Sequence, residues 1–69
     1  MDLQPVSSDN ISHVGYENGN LHVLFYKTGM YIYYNVSQVV FTRMLKTANV
    51  AKFFNENIDG VYEYSINNQ

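Results

Sequence analysis

The chain has 69 residues, a formal net charge of −2 and no cysteine. That length makes a single domain, and the missing thiols exclude a disulfide framework or a cysteine-held structural metal. Four basic residues are too few for the broad positive surface of a typical nucleic-acid binder. With no apolar run long enough for a membrane and no basic-then-apolar leader, a cytoplasmic protein is expected, in the host cytoplasm if viral.

Residues 1–10 are polar, carry the only proline, Pro5, and read as a flexible or extended lead-in. Ser7, Ser8, Asp9 and Asn10 are turn formers that hydrogen-bond their own backbone. Residues 11–17 alternate Ile11, His13 and Gly15 against Ser12, Val14 and Tyr16, which suits an edge strand. Asn18-Gly19 is a strong hairpin signal. Residues 20–36 then hold the densest aromatic and β-branched content, and read as two strands around a turn at Lys27-Thr28-Gly29. On one side of this hairpin stand Leu21, Val23 and Phe25 with Tyr31 and Tyr33. On the other stand His22, Leu24 and Tyr26 with Met30, Ile32 and Tyr34. Both faces are apolar, so helices, loops or another copy of the chain must cover the second one.

After Val36 the period changes. Ser37 is placed as an N-cap, and Val40, Phe41, Met44, Leu45 and Ala48 form one helical stripe. Asn49 is placed as a second N-cap, with Val50, Phe53, Phe54 and Ile58 as a second stripe closed by Gly60 at C′. Residues 61–66 read as a short last strand, and residues 67–69 are expected to fray. The predicted order is β-β-β-α-α-β, a three-stranded antiparallel meander followed by two short helices and a C-terminal strand: an α+β fold with both helices on one sheet face.

Chemistry is sparse. His13 and His22 stand on adjacent predicted strands but lack a third spaced ligand, so no metal is expected. The carboxylates Asp2, Asp9, Glu17, Glu56, Asp59 and Glu63 are scattered and form no acid/base pair. No serine has a base to activate it, and the glycines, read as turn and strand-end residues, form no phosphate loop. The expectation is a protein that is no enzyme and needs no cofactor. Arg43, Lys46 and Lys52, with Asn55 and the Tyr31/Tyr33 pair, are the ingredients of an anion-plus-stacking site for a nucleotide or short single strand. The 16% aromatic content in so small a domain fits either a subunit interface or a thin tyrosine-filled core.

Taken together, Val6-Ser7-Ser8, Val14-Gly15-Tyr16, Leu21-x-Val23-x-Phe25, Gly29-x-Tyr31-x-Tyr33, Phe53-Phe54-Asn55 and Tyr62-x-Tyr64 resemble the KTSC domain. This short module is named from the C-terminus of some lysyl-tRNA synthetases and also stands alone in bacterial and phage proteins. The resemblance spans nearly the whole chain, so the expectation is one KTSC-like domain over residues 1–69. It implies RNA binding through the synthetase context, yet Asp59 follows Ile58 where the family tends to be basic. Ser37 stands where the family usually has proline, and Asn49-Val50-Ala51 replaces a Ser-x-Gly segment.

Two readings of function follow. In the first, the chain is a homo-oligomer joined through Leu24, Tyr26, Met30, Ile32 and Tyr34, binding a small anionic ligand or a host protein. A phage counter-defence protein that sequesters a nucleotide signal would suit that design. In the second it is an RNA-binding accessory module that uses the helical cations and the tyrosines.

Overall fold

The computed structural model describes residues 2–67. It is an α+β fold with a five-stranded antiparallel sheet, and four strands precede the helices rather than three. The strands are β1 (Gln4–Pro5), β2 (Ile11–Glu17), β3 (Asn20–Phe25), β4 (Gly29–Tyr33) and β5 (Tyr64–Asn67). Helix α1 (Gln38–Lys46) and helix α2 (Val50–Asn57) lie between β4 and β5 in the chain. Spatial order equals chain order, β1-β2-β3-β4-β5. The expected three-stranded meander misses β1, because Gln4-Pro5 are poor strand formers and gain their state only by pairing with Val14 and His13.

That pairing makes β2 an interior strand and not the edge that was expected. Gly15 accordingly sits inside the sheet opposite His22, and not at a turn or strand end. The strict alternation read over residues 11–17 also fails at one place. A register shift between Ile11 and His13 puts Ile11 on the same side as Val14, and both are buried. The bulge is held at Ser12, whose hydroxyl donates to the Leu24 carbonyl at 3.2 Å.

Both hairpin turns form as the sequence indicates. Asn18 and Gly19 take positive φ of 55° and 80°, the two left-handed positions that a tight hairpin requires. Gly29 takes φ 89° where β4 begins. Ser37 caps α1 by accepting from the Val39 N–H at 3.1 Å, and Asn49 caps α2 by accepting from the Lys52 N–H at 3.1 Å. The exit from β4 is pinned twice at Val36: its N–H donates to the Gly19 carbonyl at 2.8 Å, and its own carbonyl accepts from the Tyr16 hydroxyl. Two helix details depart from expectation. Leu45 and Ala48 stay exposed: Leu45 sits inside α1 next to the buried Met44 but off the packed side, and Ala48 falls beyond the helix end at Lys46. Gly60, at φ 77°, lies two residues past the α2 cap at Ile58.

The core lies between the helices and one sheet face. From the sheet it takes Ile11, Val14, Leu21, Val23 and Tyr33; from the rest of the chain it takes Val36, Met44, Val50, Phe54 and Ile58. Phe41 of α1 stacks on Tyr16 at 5.5 Å. Phe54 of α2 meets Phe25 and Tyr33 edge-on at 5.4 and 5.5 Å. Residue 67 belongs to β5, paired with Met30, so the expected fraying does not begin there; residues 68 and 69 lie outside the described residues.

Because Phe54 joins two strands to α2, Phe54→Ala is expected to cost about 3–5 kcal/mol. Urea unfolding followed by far-UV circular dichroism should show the midpoint collapse, whereas Leu45→Ala, at an exposed site, should move it little.

Candidate functional site: an uncovered sheet face

The register sorts every strand side chain to one of two faces. Val14 opposite Val23, and Leu21 opposite Tyr33, face the helices. The other face carries His13 and Gly15 from β2, His22 and Leu24 from β3, Met30 and Ile32 from β4, and Ser65 from β5. None of Leu24, Met30 and Ile32 belongs to the core or packs against it, although all three are only partly exposed. Tyr26 and Tyr34 extend the same face beyond the strand ends, 63% and 37% exposed. The Tyr34 hydroxyl is fixed over Ser65, with 2.6 Å between the two oxygens.

This face carries no Lys, Arg or Asp along its strands; Glu17 stands at the end of β2, and Glu63 lies beside Tyr34 just before β5. His13 and His22 are diagonal neighbours here, since His13 is opposite Leu24 and His22 opposite Gly15. The His13 ring shares a 3.0 Å contact with the Ser12 hydroxyl. Burial holds the His22 imidazole below its ordinary value, with the Glu17 carboxylate pulling the other way. His22 is therefore neutral at physiological pH. Among the described residues no three His, Cys, Asp or Glu gather as a metal site.

The other predicted site residues do not converge. Tyr33 is 3% exposed and belongs to the core. Burial, reinforced by the Asp59 carboxylate and the neighbouring tyrosines, pushes its hydroxyl far above the ordinary tyrosine range. Tyr31 packs against that core, stacked on Tyr64 at 5.5 Å and on Tyr33 at 6.4 Å. Arg43 and Lys46 share a shallow groove with Gln38, Val39 and Thr42 on the flank of α1. Lys52 and Asn55 are exposed on α2 and do not line that groove. The tyrosines and the cations thus form separate features. Sequence reasoning did not single out Tyr64 and Ile66 of β5, which are 54% and 47% exposed beside the Tyr31 ring; their one signal was the Tyr62-x-Tyr64 pair near the end of the chain.

A two-layer α+β module with one sheet face covered by helices and the other open is the class this arrangement defines. The family model for the KTSC domain matches residues 7–62, and the chain belongs to that family. Among solved structures it is similar to a KTSC domain protein of Yersinia pestis, with 28% sequence identity, a TM-score of 0.94 and 97% of each chain covered. No curated protein matches the chain. No helix among the described residues is long and apolar enough to cross a membrane.

The lowered His22 value has a consequence for stability. Below pH 6.5, the ordinary value of the imidazole, the unfolded chain binds a proton that the folded chain resists, so stability falls as the pH drops. Urea midpoints measured from pH 7.5 down to 5.5 should decline in the wild type and decline less in His22→Gln. Equal slopes in the two proteins would remove His22 as the cause.

Proposed function

We propose that this protein is a small non-enzymatic binding module that works as a homo-oligomer, with its open sheet face as the contact between copies. One observation carries the reading: an apolar face of Leu24, Met30 and Ile32, flanked by Tyr26 and Tyr34, is left uncovered by the chain's own helices. Exposed apolar surface of this kind in a small domain marks an interaction site. A second copy suits it on charge. Two chains of net charge −2 repel overall, and they meet at least cost where neither presents a charged group. The centre of this face meets that condition, with Glu17 and Glu63 at its margins. A two-fold contact would set the same patch against itself.

The groove on α1 supports the ligand half of the reading. Arg43 and Lys46 lie in its last turn, and α1 contains no acidic residue, so an anionic ligand carried by the assembly would find its positive charge there. RNA binding would draw on the same two cations. The spread of the remaining two, Lys27 in a hairpin turn and Lys52 on α2, argues for the smaller ligand.

Ile32→Lys places a charge at the centre of the contact, where burial without a partner is costly. Light scattering on the purified protein should show a lower mass for the variant than for the wild type, and an unchanged mass would overturn the face contact. Labelled tRNA titrated at low salt should show no complex; binding that weakens steeply with salt would move the assignment to RNA.

A further inference from the structure

The two edges of the sheet are built differently. The β1 edge is two residues long and ends in Pro5, both common ways to blunt an edge against pairing. The β5 edge has no such protection: Tyr64–Asn67 contains no proline and no charged residue, and among the described residues β4 is the strand it pairs with. The Tyr34 N–H donates to the Glu63 carbonyl at 2.9 Å. In an antiparallel ladder this fixes the alternation. Glu63, Ser65 and Asn67 turn their backbone groups to β4, and Tyr64 and Ile66 turn theirs outward.

We infer that β5 is a second self-association site, pairing antiparallel with β5 of another copy about a two-fold axis through Ser65. In that register Tyr64 of each copy lies opposite Ile66 of the other, and the outward N–H and C=O groups of both residues exchange four hydrogen bonds. The two-fold stands normal to the sheet, so the two helix layers stay on one side and the sheet runs on through ten strands. Tyr64 and Ile66, half-exposed in one chain, then form aromatic and β-branched cross-strand pairs between copies. Charge agrees with this partner. Glu63 falls opposite the second copy's Asn67, at the end of the sheet where Lys27 and Asn67 border one depression, so opposite charges approach at both ends.

Area gives the reason for a second contact, and this step rests on the face contact proposed above. The five strands, at about 4.8 Å spacing and about 3.3 Å per residue, present a face of roughly 380 Å². Two such faces bury about 760 Å² together, short of the roughly 1,000 Å² that a specific interface needs. Joining the edges doubles each face. The face two-fold runs parallel to the sheet and the edge two-fold is normal to it; with the face axis running across the strands to meet the edge axis beneath Ser65, the two close a tetramer with D2 symmetry.

Two variants test the edge. Ile66→Pro removes one outward N–H and leaves the β4 ladder intact, because that ladder uses Ser65 and not Ile66. Ser65→Cys places one thiol on each side of the two-fold, at a non-hydrogen-bonded pair with Cα atoms about 4.5 Å apart, within disulfide reach. The chain has no other cysteine. The expected results are a tetrameric wild type, a smaller assembly for Ile66→Pro, and complete disulfide dimers from Ser65→Cys under mild oxidation, with Thr42→Cys on α1 staying monomeric on denaturing gels. An Ile66→Pro mass equal to wild type, or equal crosslinking at both cysteines, would overturn the edge. An assembly that Ile32→Lys dissolves and Ile66→Pro does not would leave the face contact standing alone; the reverse pattern would keep the edge and remove the face.

Discussion

Seventeen helical residues cannot cover two sides of a five-stranded sheet, and the rest of this structure follows from that shortage. Helices of nine and eight residues reach only one face, so the buried apolar strand side chains fall on that face. Phe54 is the side chain that makes the arrangement hold: it enters between Phe25 of β3 and Tyr33 of β4 and ties the helical layer to two strands. The cost of the shortage appears on the opposite side, where Leu24, Met30 and Ile32 remain without a covering layer.

The two faces differ in composition in a way that reflects these roles. On the helix side the tyrosines form a packed stack, with the buried Tyr33 at its base. Such rings fill a thin core with large area and little conformational freedom. On the open side the aromatic groups move to the margins, at Tyr26 and Tyr34, and the centre is aliphatic with a histidine whose charge is suppressed. A core and an open face are thus written with the same few residue types, separated only by which way each strand position points.

That separation explains what could be read in advance. The hairpins, both helix caps and the assignment of Leu24, Met30 and Ile32 to a common face were legible, because Asn-Gly, Ser37, Asn49 and strict alternation each act locally. The strand β1 was not, since Gln4 and Pro5 have no intrinsic strand preference and are recruited by β2. The bulge at Ser12 was hidden too, because one inserted residue leaves no local mark while reversing the phase of everything before it. At the candidate site, the sequence offered Tyr31, Tyr33, Arg43 and Lys46 as one cluster. Only a register and a helix direction could show that the first two turn inward and the last two line the far flank of α1.

The order of the sheet has one more consequence. Each of the first four strands pairs with its neighbour in the chain, so those contacts close short loops and cost little entropy to form. The pairing of β4 with β5 is the exception, because both helices and their connections lie between them. The meander is in effect interrupted, and its last strand can return only after the helical layer has been threaded through. Folding of this domain would then end where β5 docks, and the same junction would be the first to open in native-state hydrogen exchange.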